Sequence, residues 1–403
     1  MKKIILISFV LHFLASYSQD DLSKNSTHFE LGKGLTFDLN EGKYKFFISG
    51  FIQPTVSVET IKGEESDYFF NSKRSFFMLG GKAVQEKISF LLQTDFSSRN
   101  PLLDAWIAYH PYEWLTISAG QKQNFANNRE MLYREDRLQF TDRSLGSRTF
   151  SKTGREFGLF VESTFGEKFI LSPKFSLTSG DGQNSFGTDS RDTDLGGLKV
   201  GGRLDIYPFG AFKTGNDLFT ADLFREENIK LLLGVAASKN NGASDRVGEG
   251  HGNFLFYDEN TKVSLPNYNK THFDALLKYQ GFSFLFEFTN SSASGIEKVF
   301  IDPNAITILS PTQISEFLVL GNSYVSQFVY VTKNMYSFDI RYEIAKPEFE
   351  NIDSVLREYS NLTFGLSKYF NNNNLKLQTS YSITNFNNSN TINTAEILLQ
   401  VSF

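Results

Sequence analysis

Cysteine is absent from the 403 residues, proline occurs only nine times, and beyond the N-terminus no apolar run reaches the length of a membrane-spanning helix. Without cysteine there is no disulfide framework, no thiolate nucleophile and no cysteine-ligated zinc or iron–sulfur site. A mean hydropathy of -0.27 with no apolar stretch of about 18 residues in the body of the chain excludes a bundle of transmembrane helices. The scarcity of proline and a 21% share of charged residues exclude a disordered or collagen-like chain. Basic charge is also short, 40 Lys+Arg against 45 Asp+Glu for a net of -5.

The N-terminus carries an export pattern. Met1-Lys2-Lys3 is a positive start, Ile4 to Leu14 is an apolar core of signal-peptide length, and Ser16 and Ser18 are small residues placed for cleavage. Residues 1–18 are therefore expected to be a cleaved signal peptide, and 19–42 a short polar lead. Loss of Lys2 and Lys3 takes the net charge from -5 to -7, which excludes a globally basic nucleic-acid binder.

Almost everything after residue 42 alternates apolar and polar residues, the period of strands with two unlike faces. Phe282, Phe284, Phe286 and Phe288 oppose Ser283, Glu287 and Thr289; Tyr336, Phe338, Ile340, Tyr342 and Ile344 oppose Ser337, Asp339, Arg341 and Glu343. Sixteen such segments follow one another, from 44 to 58 at the start to 393 to 403 at the end. The 385 residues left after the leader give about 24 per strand and connection, suited to tilted strands of roughly ten residues. Short turns alternate with long loops near 122–153, 180–195, 240–270 and 291–322, while one long connection, 208–228, falls on the short-turn side. The apolar sets carry no charge, whereas a soluble sandwich would have a charged surface. The predicted fold is all-β, a 16-stranded antiparallel transmembrane β-barrel over 43–403 with a long, inward-folded third loop.

With lipid outside, the other face lines water, and its charges select what passes. Alternation places Arg74, Lys82, Lys174, Lys199, Arg203, Lys278, Arg341 and Lys376 inward, together with Asp95, Glu156, Asp205, Asp274, Glu287, Asp339 and Glu343. That wall is mixed in sign. The third loop leans to one sign: Lys122, Arg129, Arg134, Arg137, Arg143, Arg148, Lys152 and Arg155 stand against Glu130, Glu135, Asp136 and Asp142, a local balance of +4. Arginine keeps its charge and offers a planar fork that fits phosphate or carboxylate. Arg74, Lys122, Arg129, Arg134, Arg137, Arg143, Arg148, Arg155, Arg203 and Arg341 are the candidate pore and constriction residues. The opposing reading is a solvated loop whose arginines pair with its own acids or with lipopolysaccharide phosphates.

Several segments together resemble the phosphate-selective porin family of the O and P type. They are Lys73-Arg74-Ser75-Phe76-Phe77-Met78-Leu79-Gly80-Gly81, Leu103-Asp104-Ala105-Trp106-Ile107-Ala108-Tyr109, the strand ending Ala119-Gly120-Gln121, and Leu138-Gln139-Phe140-Thr141-Asp142-Arg143-Ser144-Leu145. A later strand pair ending Arg341-Tyr342-Glu343 completes the set. The resemblance implies a trimeric outer-membrane porin of Gram-negative type whose third loop constricts each channel, with Arg137, Arg143, Arg155 and Arg74 facing the solute. Two departures stand out. Asp142 replaces the family's usual Glu, and Gly120-Gln121-Lys122-Gln123-Asn124-Phe125 displaces the lysine and lacks the proline that the family places there. The chain ends within a strand on Phe403, which resembles the signal read by the barrel-assembly machinery.

No metal or cofactor is expected. The histidines His12, His28, His110, His251 and His272 lie far apart, with no His-x-x-x-His pair. The Asp-rich run Gly180 to Asp194 lacks the spacing of a calcium loop. Neither pattern indicates an enzyme. Pro311 to Leu320 has helical character. The expected function is a passive outer-membrane channel for small hydrophilic solutes, preferring anions such as phosphate or polyphosphate, with a general or sugar porin as the alternative.

Overall fold

The computed structural model describes residues 25–184, 197–250, 252–349, 351–387 and 389–403. The expected signal peptide, Met1 to Ser18, lies outside these, as does most of the Asp-rich run before Asp194. A hairpin of β1 (Ser26–Glu30) and β2 (Gly34–Leu39) comes first. Sixteen longer strands follow: β3 (Tyr44–Ile61), β4 (Asp67–Ala83), β5 (Ile88–Asp95), β6 (Leu102–Tyr112), β7 (Leu115–Gln123), β8 (Arg155–Ser163), β9 (Ile170–Thr178) and β10 (Lys199–Tyr207). The second half comprises β11 (Lys230–Asn240), β12 (Asn267–Tyr279), β13 (Phe282–Ser294), β14 (Gly321–Val331), β15 (Tyr336–Pro347), β16 (Tyr359–Asn371), β17 (Leu375–Phe386) and β18 (Ile392–Ser402).

From β3 onward each strand pairs antiparallel with the next, and β18 returns to β3 from Ile392↔Ile61 to Ser402↔Phe51. The result is a closed 16-stranded antiparallel barrel, which leaves no free edge for lipid to meet. The N-terminal hairpin adds to the lower half of β3, Leu35 opposite Ile48 through Leu39 opposite Tyr44. The 25–42 part of the polar lead is thus a pairing element that extends the edge where β18 ends.

The period of two read from the sequence is the inside–outside alternation of the wall. On β15, Ser337, Asp339, Arg341 and Glu343 are buried inside, while Tyr336, Phe338, Ile340 and Tyr342 are exposed outside. The outer face is an aromatic and aliphatic belt, in which Phe284 lies opposite Phe328 with ring centroids 4.5 Å apart, and Phe282 opposite Tyr330 at 4.3 Å. Such cross-strand aromatic pairs stabilise a sheet by roughly 0.2–1 kcal/mol each. The two-residue connection Gln280-Gly281 takes positive φ at both positions, 48° and 93°, as the tightest hairpin turn demands.

Among the described residues three α-helical turns lie outside the barrel wall: α1 (Arg129–Leu132) and α2 (Leu145–Phe150) in the third loop, and α3 (Pro311–Ile314), where helical character was expected; two 3-10 turns, Glu135–Arg137 and Asn216–Leu218, accompany them. The loops after β11 and β13 pack on each other through Phe254, Phe256, Leu309, Ile314 and Leu318, and form an apolar cap over part of the loop end. Phe150 of α2 is buried beneath them with Val247, Val319 and Leu356. The third loop is therefore fastened from above as well as from the sides.

Candidate functional site

The third loop, 124–154 between β7 and β8, crosses the lumen and binds the wall in several places. It enters through Asn124, whose Nδ2 donates to Glu156 Oε2 at 2.6 Å. Lys122 sits over the rings of Trp106, Phe125 and Phe160 at 4.9–5.4 Å and 3.4 Å from Glu162. At α1, Arg129 Nε donates to Asp274 Oδ1 at 2.8 Å and its other nitrogens reach Asp205. Arg203 of β10 binds the same two carboxylates, with Nε 2.8 Å from Asp205 Oδ1 and a second contact to Asp274. Two guanidinium groups and two carboxylates thus form a buried quartet, joined at Asp205 by Lys174 Nζ at 3.0 Å. Gly234 makes room for it: a Cβ there would lie 2.2 Å from Arg203 Nη2 and 2.4 Å from Asp274 Oδ1.

Glu130 ties the loop to itself. One oxygen of its carboxylate accepts from Ser144 N, Ser144 Oγ and Ser147 Oγ, each at 2.7 Å, while Arg341 of β15 lies 3.4 Å from the other. Glu135 receives Arg143 and Arg155, each at 3.1 Å. Burial alone would raise the Glu135 carboxyl; Arg155 and Arg143 outweigh it and hold the group well below the usual carboxylate range. After a 3-10 turn at Glu135–Arg137, the irregular stretch 138–142 runs against β15 to β17 and β4. Lys376 Nζ donates to Asp136 O at 2.8 Å, Gln378 Nε2 to Gln139 O at 2.7 Å, Gln139 Nε2 to Asp339 at 2.8 Å, and Thr141 meets Ser380 at 2.6 Å.

Asp142 closes this side, 2.9 Å from Arg74, 3.2 Å from Lys73 and 3.6 Å from Arg148. Burial opposes its ionisation, but Lys73, Arg74 and Arg148 hold its carboxyl far below the ordinary range. The loop leaves through α2, whose Gly146 N donates to Glu343 Oε2 at 2.8 Å, and through Glu249, which accepts from Ser151 Oγ at 2.5 Å and Lys152 N at 2.8 Å.

All ten basic residues singled out from the sequence face the lumen or the third loop, and every one has a carboxylate within 4.0 Å. Arg74, Arg129, Arg143, Arg155, Arg203 and Arg341 are buried in such pairs, and Arg134 lies 2.6 Å from Asp136. Arg137 is held more loosely, 3.9 Å from Asp136; burial and the neighbouring Arg134 push its pKa down to about 10. Arg148 is the most open, with 52% of its side chain exposed. Arg134, Arg137, Arg143 and Arg148 pair with the loop's own acids, as the reading of a self-paired loop anticipates, while Arg129 is held by wall carboxylates and Arg155 by Asp104 of the wall and Glu135 of the loop.

Sequence reasoning missed Glu130, Glu249 and Gln139 as anchors.

Above the stretch 140–148, toward the loop end, lies a cavity of about 360 Å³ bounded by β3, β4 and β16 to β18. Hydroxyl and amide side chains dominate its wall, among them Thr55, Ser57, Asn361, Thr363, Ser380 and Ser382, with Lys73, Arg148, Asp142 and Glu396 supplying charge. Among the described residues no cluster of three or more His, Asp or Glu side chains could hold a metal ion. His272, far from a rim, is buried on the lumen face beside Thr289 Oγ1 at 3.0 Å.

Solved structures share this architecture. Outer-membrane expressed OmpT of Vibrio cholerae matches with a TM-score of 0.54, 9% identity, and coverage of 91% of this chain and 99% of its own. The anion-selective porin from Comamonas acidovorans gives 0.54 at 11% identity over 89% of this chain and all of its own. The barrel has the fold of these outer-membrane proteins. In-vitro folded OmpT of Vibrio cholerae in its trimer form matches at 0.50, with 9% identity over 89% of this chain and 99% of its own. Identities this low speak for the fold alone. No protein-family model matches the chain, and none of the curated proteins does.

Proposed function

We propose that this protein is a passive outer-membrane channel, without enzymatic activity, for small hydrophilic solutes, with a modest preference for anions. The observation that carries the reading is the polar cavity between the third loop and the wall, inside a barrel whose exterior is apolar. A wet passage and a lipid-facing belt in one closed sheet are the two requirements of a porin. The anion preference rests on Arg148, the most open cation of that cavity, since Lys73 beside it is tied to Glu396 at 2.9 Å and Asp142 at 3.2 Å. Phosphate as the favoured anion is supported by the sequence resemblance and by the arginine fork of Arg148. Extensive neutralisation of the other arginines favours weak over strict selectivity.

Planar-bilayer recording across a salt gradient tests this. The expected result is a steady conductance with a reversal potential displaced toward chloride and partial block by phosphate. Absence of conductance, or a cation preference, overturns it. A second reading, a pore for neutral sugars, is favoured by the hydroxyl and amide ladder of the cavity. Faster swelling of protein-containing liposomes in sugars than in phosphate salts would select it. Assembly as a homotrimer and insertion by the barrel-assembly machinery belong to the same proposal. Unheated gel mobility and cross-linking test the first of these.

A further inference from the structure

Seven connections lie at the turn end of the barrel. Six span two to six residues, whereas the one between β10 and β11, 208–229, has 22. A rim loop of that length would lie in solvent, yet Asn216 and Asp222 are fully buried, and Thr220, Ala221 and Glu226 nearly so. The segment therefore turns back into the lumen.

The wall that it covers explains why. Near the turn end of β11 to β14 the lumen-facing positions include Leu232, Leu276, Leu285, Val329 and Val331 beside Lys278 and Ser283, an apolar majority where the rest of the lumen is mostly polar. Exposed to water, such a surface costs about 25 cal/mol per Å². Phe212 packs on Leu232, Leu276 and Leu285, while Ala221 and Leu223 pack on Val329 and Val331.

Polar contacts fix the segment at its tip. Lys278 Nζ donates to Asn216 O at 2.5 Å and Phe219 O at 2.7 Å. Asp222 accepts from Asn216 Nδ2 at 2.8 Å and from Gly281 N of the neighbouring turn at 2.7 Å. The segment also reaches the third loop. Phe212 shares its cluster with Tyr133, and Arg137 lies 5.9 Å from the Phe219 ring centroid. On the other side of the barrel, at the turn ends of β3 to β6, a cavity of about 600 Å³ is bordered by Phe47, Leu91, Trp106, Lys45 and Lys82.

We propose that 208–229 is a second constriction, a stopper belonging to the chain itself. It fills the β11 to β14 side of the lumen below the third loop, confines solute to the β3 to β6 side, and sets the size limit of the pore. The proposal rests on the channel reading above and adds to it the element that limits conductance from the turn end.

The test compares single-channel conductance of the wild type, a variant lacking residues 213–226, and Lys278→Met, each first shown to be a folded barrel by heat-dependent gel mobility. Conductance of the deletion variant should rise about twofold or more, with a smaller rise for Lys278→Met. Equal conductance in all three, with the wild type conducting, overturns the stopper and leaves the channel reading standing. A silent wild type with a conducting deletion variant supports the stopper and overturns passive conduction by the native chain; silence in all three overturns both.

Because the chain lacks cysteine, Leu223→Cys gives a single thiol that needs no deletion to interpret. It should resist a water-soluble maleimide in the folded barrel and react after denaturation. Rapid labelling in the folded barrel overturns the proposal.

Discussion

At the scale of single residues, the third-loop arginines divide into anchors and a solute-facing remainder. Arg129 belongs to the anchors. Its removal leaves Asp274 with the guanidinium of Arg203 alone and Asp205 with Arg203 and the less buried Lys174, and removing one partner from a buried charge cluster in this way costs up to about 3–5 kcal/mol. Arg129→Ala is accordingly expected to loosen the loop, seen as noisier single-channel current and lower thermal stability. Arg148→Ala should reduce anion preference, read from the reversal potential, while changing stability by less than about 1 kcal/mol, because its pair is half exposed. Equal behaviour of the two variants would contradict the division. Gly234→Ala offers a third check. A methyl group 2.2 Å from Arg203 Nη2 must displace the quartet, so this small change should resemble Arg129→Ala more than an ordinary surface substitution.

At the scale of elements, the third loop depends on carboxylates that stay ionised. Glu249 lies beyond the strands and holds the loop's exit. Burial opposes its charge, but Lys270 and Lys199 outweigh burial and bring its pKa down to about 2. A carboxyl depressed below its unfolded value of about 4.3 contributes stability that is complete above that value and is lost as pH falls toward the folded one. Asp142 and Glu135 are lowered in the same sense. The hold of these three carboxylates on the loop is therefore expected to be the same at pH 7 and about pH 5, with faster amide exchange at the loop's exit, residues 150–154, appearing only below about pH 4. A transition centred near pH 6 would contradict this assignment.

At the scale of the whole molecule, stability requires that the last strand meet the third. Phe403 and Gly50 exchange backbone hydrogen bonds, both 2.8 Å long, just beyond the β18–β3 ladder. A Cβ at Gly50 would lie 2.4 Å from Phe76 O and 3.0 Å from the Phe403 ring. Gly50→Val is expected to lower the yield of heat-modifiable barrel in outer membranes, with conductance per inserted channel little changed. Normal yield would show that the seam tolerates the added bulk. The N-terminal hairpin lies next to this seam, where Asn374 Nδ2 donates to Leu31 O at 2.8 Å, so the hairpin and the last strand are secured at the same place.

Strand number, strand order and the inside–outside assignment were legible in the sequence because a wall one residue thick, with lipid on one side and a polar interior on the other, imposes a period of two on every strand. The length and positive balance of the third loop were legible too, since both are local. What the arginines do was decided only in three dimensions. Arg129 meets Asp205 and Asp274, and Arg74 meets Asp142, across sequence separations of 68 to 145 residues, and a net charge cannot say which partner neutralises it. The connection 208–229 is the same case. Its length was visible, but its place inside the lumen follows from covering Leu232, Leu276, Leu285, Val329 and Val331, which become one apolar surface only when four strands stand side by side.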